Sequence, residues 1–390
     1  MFSSPMYDHL ETNIPHIMMT YSTDDTLTND QLFPGRESVL EYLRRYAEPV
    51  THLYLFKTKV LSVVSRPQRG QNRWLLTSIH LPTSRIRDSA YDAIIVASGH
   101  YAVPHIPAIP GLEAWNTAFP NRISHSKHYR NPNPYTTLKT LIIGASASGL
   151  DISTQIVKTC AVPLLLSQRT PSDLAAGFSD ANVRTVPEIA EFLPPSSGYE
   201  RAVRFADGQI EVGIDKVLFC TGYYHSYPFL SSLVPPPITN GERVEHLYQH
   251  IFYAPNPTLA FVGVPSNILP FRTCEAQAAV IARMWSGRLS LPSASKMKAW
   301  EMQRMEKKGA GRKFHHLAFP EDLDYLNELV EWATQADREG DPKGMLPRKW
   351  DKHDYQARKR FARIKKAFAS KGEGRREMKK MEDLGYEFEL

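Results

Sequence analysis

The sequence predicts an α/β protein with a two-domain, Rossmann-like, three-layer architecture: one nucleotide-binding domain inserted into another, followed by C-terminal helices. Three observations carry this. The run Thr140-Leu-Ile-Ile-Gly144-Ala-Ser146-Ala-Ser148-Gly149-Leu-Asp151-Ile reads as a buried strand, a tight turn and the start of a helix. That arrangement aims backbone N–H groups and a positive helix terminus at a pyrophosphate. A second apolar strand, Val162 to Leu166, follows and ends in Ser167-Gln168-Arg169-Thr170. Further short strands bracket this unit on both sides, so the flanking pieces form the host.

The elements follow in order. Gly35 to Glu48 has Val39, Leu40, Leu43 and Tyr46 at helical spacing. Leu53 to Val64 and Trp74 to Leu81 read as strands joined by the polar stretch Ser65 to Arg73, a hairpin. Tyr91 to Gly99 is a buried strand ending in small residues, and Pro104 to Pro110 is a crossing segment that continues neither sheet nor helix. Asp207-Gly208 marks another hairpin between Arg204 and Val212. Ile214 to Cys220 and Thr258 to Val264 read as strands, and helical patterns close the chain near Ser295–Lys308, Glu321–Arg338 and Tyr355–Glu382. The expected bounds are 1–130 and 213–330 for the host, 131–212 for the insert, and 331–390 for a basic helical tail.

Within the glycine run, Gly144 permits the turn and Gly149 permits close packing of helix on strand, while Ser146 stands where a dinucleotide fingerprint has its second glycine. Ser148 lies in the same first turn. After the next strand an NAD site places an acid for the ribose 2′-hydroxyl. Arg169, with Thr170, suits the 2′-phosphate of NADP instead, because a guanidinium pairs with phosphate through charge-assisted hydrogen bonds. The bland alternative is a glycine turn in an ordinary α/β unit with a surface arginine.

Composition bounds the rest. A chain of 390 residues supports about two domains. Its three cysteines are scattered and its fourteen histidines form no metal signature. Reduced thiols and a cytoplasmic setting are expected. The start carries no signal-peptide pattern, and no apolar run is long enough to span a membrane. The formal net charge of +6 resides in the tail, where Lys343 to Leu390 holds fifteen Lys and Arg against eight Asp and Glu. No nucleic-acid motif accompanies it, and it reads as a solvated helical face.

Several segments in shared order resemble the flavin-containing monooxygenase family. Thr12-Asn13-Ile14-Pro15 is similar to its TNxP segment, and Phe33-Pro34-Gly35 with Tyr42-Leu43 and Tyr46-Ala47 to its FP…YL…YA helix. Ala97-Ser98-Gly99 and Pro110-Gly111-Leu112 resemble its glycine and PGL loops. Phe119 to Tyr129 resembles FxGxxxHxxx(Y/F), with His125 and Tyr129 in place and Asn121 at the glycine, where asparagine also tolerates a left-handed backbone. Thr221-Gly222-Tyr223 leading to Pro228-Phe229-Leu230 resembles the TGY…FPFL motif.

The resemblance implies an FAD- and NADPH-dependent monooxygenase that oxygenates a soft nitrogen or sulfur nucleophile of a small molecule with O2, via a C4a-hydroperoxyflavin. The cofactor carries the hard step, so no catalytic triad is required. Asn13 matches the family's active-site asparagine, whereas the residues alone read as a turn before proline. His125 and Tyr129 either bracket the NADP domain or hold the interdomain linker. Gly222 lets the chain approach the flavin closely, with Thr221 and Tyr223 beside it; the plain alternative is a strand-end turn. The family's first βαβ unit, with its own GxGxxG for FAD, is expected before Tyr7 and has no counterpart in this sequence, so the FAD domain is expected to be incomplete. Two other readings stand beside the main one: a non-catalytic NADP- or partner-binding remnant, and a Baeyer–Villiger-type oxygenase. A homodimer is left open.

Overall fold

The computed structural model describes residues 4–23, 27, 30–68, 71–170, 180–337 and 344–386. The middle of the predicted hairpin turn at 69–70 and the predicted helix end at Arg338 lie outside the described residues.

After the Asn13 bend come α1 (His16–Met19) and α2 (Arg36–Ala47). A three-stranded antiparallel sheet follows, built from β1 (Thr58–Gln68), β2 (Gln71–His80) and β3 (Arg85–Tyr91). The expected pairing of the first two is present, but Glu48–Leu53 is a 3-10 helix, and the polar stretch expected as their turn continues both strands, with Ser65 paired to Trp74 and Gln68 to Gln71. Then come β4 (Ile94–Val96), β5 (Val103–Pro104) and α3 (Leu112–Ala118).

The next strands are β6 (Ile123–His125), β7 (Lys139–Ile143), β8 (Ala161–Ser167) and β9 (Val183–Val186), with α4 (Ala147–Ile156) between β7 and β8. A small sheet is made by β10 (Ile189–Leu193), β11 (Ala202–Phe205) and β12 (Ile210–Glu211), the last two forming the predicted Asp207-Gly208 hairpin. The chain returns through β13 (Lys216–Phe219) to the first of these sheets, whose order is β6–β13–β7–β8–β9, all parallel. Two of its strands, β6 and β13, fall just beyond the expected 131–212 span.

Residue alternation makes this sheet the middle of three layers. Ile142, Leu164, Leu166 and Leu218 face α4, packing on Leu150, Ile152 and Ile156. Leu141, Ile143, Leu165, Val217 and Phe219 face the other way, onto Trp115 of α3 and Phe192, Val203 and Phe205 of the small sheet.

The second lobe holds β15 (Leu247–Tyr248), β16 (Phe252–Tyr253) and β17 (Leu259–Phe261), in a sheet ordered β15–β16–β17–β4, with β17 parallel to β4. The lobes are joined by an antiparallel pair of linkers, β5 with β14 (Tyr223–Tyr224). Helices α5 (Pro270–Trp285), α6 (Ala294–Lys308), α7 (Glu321–Thr334) and α8 (Lys352–Ser370) complete the chain.

Two differences from the sequence reading stand out. Helix α5 has no counterpart among the predicted elements, although Ala276, Val280 and Ile281 bury it against α7. The basic C-terminal helix is not a solvated face. Phe361, Ile364 and Phe368 of α8 are buried in the same core as Phe33 and Phe252. The lysines and arginines around them dominate the composition and mask the apolar stripe at i, i+3 and i+7.

Candidate dinucleotide site and its surroundings

Gly144 and Gly149 build a cradle by contact. β7 ends at Ile143 and Gly144 turns at φ +106°, where a Cβ would stand 2.7 Å from the Cys220 carbonyl oxygen. A Cβ on Gly149 would stand 1.8 Å from the Gly144 carbonyl oxygen, so α4 lies on its own strand at a distance only glycine permits. Ser146, at φ −99° and ψ −167°, is in extended backbone that any residue adopts. This is why a serine can stand where the fingerprint has its middle glycine. The Ser146 side chain makes no capping hydrogen bond, and both Ser146 and Ser148 are exposed. The first-turn N–H groups of α4 lack intrahelical partners, and no acidic side chain lies in that turn to compete with an anion.

Strand order places this cradle at a switch point. From β7 the chain steps to β8 and β9 on one side, and β13 and β6 lie on the other. In open sheets of this kind ligands bind where the order reverses, outside the carboxyl ends of the strands. Arg169 and Thr170 stand exposed just past the end of β8, whose last residue, Ser167, accepts the Gly144 N–H at 2.9 Å.

Thr221, Gly222 and Tyr223 leave the end of β13 against the Gly144 turn and enter the interdomain linker. Gly222 sits at φ +82°, and its carbonyl accepts two hydrogen bonds, from the His105 backbone N–H at 2.9 Å and from His125 Nε2 at 3.0 Å. His125 Nδ1 accepts the Lys127 backbone N–H at 3.1 Å, which fixes the proton on Nε2. Burial pushes this imidazole down to about 4, so it is neutral at physiological pH. The Thr221 hydroxyl donates to the His105 carbonyl, and Tyr223 packs edge-on against His125 at 5.1 Å. Asn121 takes φ +62°, the left-handed conformation expected of it in place of glycine. The structure thus brings Gly144, Gly149, Thr221, Gly222, Tyr223 and His125 together, with His125 as a pin between linker segments.

Tyr129 points elsewhere. It is buried, packs edge-on against Tyr7 at 5.4 Å, and donates to Gln155 of α4 at 3.1 Å. Gln155 in turn donates to Asp151 at 3.0 Å, and Tyr7 donates to the same carboxylate at 2.5 Å. Burial raises the Asp151 carboxyl, while the Tyr7 hydrogen bond and the nearby Lys365 ammonium pull it back down. Asp151 therefore does more than complement a helix dipole. It anchors the N-terminal segment onto α4 two residues past Gly149.

Asn13 is exposed and lies in a bend, away from the glycine cradle in sequence and on the other lobe. Its neighbours are fixed. The Thr12 N–H donates to the Pro34 carbonyl at 3.0 Å, and Lys365 of α8 donates to the Thr12 carbonyl at 2.8 Å. Lys365 and Arg375 both pair with Glu11, at 3.4 and 3.0 Å. Sequence reasoning missed two linked groups here: Tyr7 and Gln155 around Asp151, and Lys365 and Arg375 around Glu11 and the Thr12 carbonyl. Glu11 and Lys365 lie 354 positions apart, so no local pattern could join them.

In the second lobe, the parallel strands β4 and β17 both run out into left-handed glycines, Gly99 at φ +68° and Gly263 at φ +73°. Nothing lies within 4 Å of where a Gly99 Cβ would stand, so the backbone there is bare. Nearby, the His100 and His225 rings lie 4.8 Å apart, and each buries an Nδ1 without a hydrogen-bond partner among the described residues. Unpaired buried polar atoms of this kind fit a polar ligand. Among the described residues, no second strand–glycine turn–helix matches that at 140–149, and the outer edge of β4 carries no strand. No cluster of metal-ligating side chains is found among them either.

Comparison with known proteins agrees with this geometry. The model of the flavin-binding monooxygenase-like family matches residues 3–183 and 182–338. A flavin-containing monooxygenase of Amanita muscaria, iboF, is 33% identical over 381 residues, covering 85% of this chain and 71% of that protein. The thiol-specific monooxygenase of Saccharomyces cerevisiae is 29% identical over 345 residues, covering 85% of this chain and 74% of that protein. The solved structure of S-allyl-L-cysteine S-oxygenase from Allium sativum superposes with a TM-score of 0.77 at 27% identity, covering 98% of this chain and 83% of that one. With most of its length matched, and with the glycine cradle at the switch point of its parallel sheet, the chain belongs to the flavin-binding monooxygenase-like family.

Proposed function

We propose that this flavin-dependent monooxygenase transfers one oxygen atom from O2 to a soft sulfur or nitrogen nucleophile of a small molecule, with sulfur favoured. Proteins of the family use FAD and NADPH. The balanced reaction on a thioether consumes NADPH, O2 and a proton, and releases NADP⁺, water and the sulfoxide. FAD, when bound, supplies the hydride acceptor and the oxygen-activating centre.

The chain's own residues have the remaining tasks. The backbone amides between Gly144 and Gly149, with the Ser146 and Ser148 hydroxyls, hold the NADPH pyrophosphate. Arg169 and Thr170 hold the 2′-phosphate, a match of planar guanidinium to phosphate that an ammonium would not reproduce. The bare strand end at Gly99, with the unpaired His100 and His225 nitrogens, fits the polar flavin cofactor. Thr221, Gly222 and Tyr223, with His125, set the linker beside the bound nucleotides, while Tyr129 holds α4 through Gln155. Asn13 offers an exposed carboxamide that donates through its NH2 and accepts through its oxygen, suited to orient nucleotide and reacting oxygen. We assign residues 131–212, with the flanking strands β6 and β13 of the same sheet, to NADP, the rest of 1–130 and 213–330 to FAD, and 331–390 to a C-terminal extension.

The observation that carries this reading is the Gly144–Gly149 cradle with Arg169 beside it. The preference for sulfur is supported by two similar proteins whose names specify a thiol and an S-allyl cysteine. The test supplies the protein with FAD and NADPH and offers a thioether and a tertiary amine in parallel. The reading expects NADPH oxidation that rises with the thioether and forms its sulfoxide. Equal binding of NADH and NADPH would contradict the role of Arg169.

A further inference from the structure

We propose that Lys365 is a positioning residue: from the C-terminal helix it holds the peptide plane that carries Asn13, at one end of the N-terminal segment whose other end Tyr7 ties to Asp151 on the NADP helix, so that the two halves of the site move as one. This inference rests on the NADP reading above.

The geometry is direct. The Thr12 carbonyl and the Asn13 N–H belong to one planar amide, so fixing one fixes the other and the direction in which the Asn13 side chain leaves the backbone. Lys365 donates to that carbonyl at 2.8 Å. The ammonium is largely buried, is held by Glu11 at 3.4 Å, and stands 4.4 Å over the face of Phe33 and 5.5 Å from that of Phe368. A long flexible lysine with that many constraints has lost its rotamer freedom, so the cost of ordering it is already met by packing. The other anchor of this segment is Asp151, which takes hydrogen bonds from Tyr7 and from Gln155 of its own helix. Asp151 lies on α4 just after Gly149, whose contact with Gly144 shapes the cradle. A ligand that settles the start of α4 therefore also settles Asp151, the Tyr7 bonded to it, and the segment that runs from Tyr7 to the Thr12–Asn13 amide held by Lys365. Burial lowers the Lys365 ammonium, while Glu11 and Asp151 sustain its charge.

Hydrogen exchange of the full-length chain, with and without NADP⁺, tests this. In the wild type, NADP⁺ is expected to slow exchange both at 144–151 and at 11–14. In Lys365→Met the protection at 144–151 remains and that at 11–14 is lost. Lys365→Arg restores it, because a guanidinium keeps the charge and the donors. Lys366→Met, an exposed neighbour on the same helix, behaves as the wild type. Glu11→Gln, which frees the lysine without removing it, shows the same loss as Lys365→Met and serves should the latter fold poorly. Protection at 11–14 that persists in both variants, or that is missing from a wild type protected at 144–151, overturns the inference alone. A wild type with no protection at 144–151 overturns the NADP reading and the inference with it.

Discussion

Gly149 lies so close to Gly144 that an added Cβ would stand 1.8 Å from the Gly144 carbonyl oxygen. That atom belongs to the backbone and cannot swing aside. Gly149→Ala must therefore push α4 off its strand and open the cradle. We expect a loss of about 1–3 kcal/mol in stability, the usual cost of overpacking, with a steep fall in NADP⁺ affinity. Denaturant unfolding and calorimetric titration measure the two effects separately.

Arg169 tests cofactor choice. Its guanidinium is exposed beyond β8, with no acid following on that strand end. Arg169→Ala should weaken NADPH by roughly 10- to 100-fold, the worth of hydrogen bonds to a charged group, and leave NADH unchanged. The ratio of the two dissociation constants gives the answer directly.

Asn13→Ala separates consumption of NADPH from use of its electrons. The exposed carboxamide holds up no fold element, so the variant should fold normally and still oxidise NADPH. The yield of oxygenated product per NADPH should fall about tenfold or more, as when one preorganised donor is removed from a reacting oxygen. Hydrogen peroxide should rise to match, and quantifying both products checks the expectation.

His125 makes stability depend on pH. Its folded-state value lies near 4 against an ordinary 6.5, because burial disfavours the cation. Between these values the unfolded chain binds a proton that the folded chain refuses. Stability is therefore complete above about 6.5 and falls as the pH drops towards 4. His125→Gln keeps a donor for the Gly222 carbonyl without the titration. It should flatten the stability profile across that window by up to about 3 kcal/mol. Urea unfolding at a series of pH values measures it.

How far the sequence could be read follows from how local each signal is. Gly144, Gly149 and Arg169 lie within one strand–turn–helix–strand unit, and spacing alone locates them. The pairing of the hairpin strands was legible for the same reason, though not their start or their turn, while the left-handed turn at Asn121 followed from the family resemblance. Helix α5 was not: it opens on Pro270 inside a run with no polar cap, and its Leu269 N-cap gives no start signal. Lys365 was hidden by its neighbours, since a helix crowded with lysine and arginine reads as solvated. Only the tertiary fold shows that Ile364 and Phe368 flank it in the core. The bond from Tyr7 to Asp151 spans 144 positions and carries no local mark.

The central claim is that the 144–149 cradle and Arg169 deliver NADPH to a site that oxygenates sulfur. The most direct measurement supplies FAD, NADPH, a small thioether and isotopically labelled O2, and reads the product by mass spectrometry. The account predicts sulfoxide carrying one labelled oxygen, formed with NADPH and not with NADH. Absence of labelled sulfoxide while NADPH is consumed, or equal product from NADH, would contradict it.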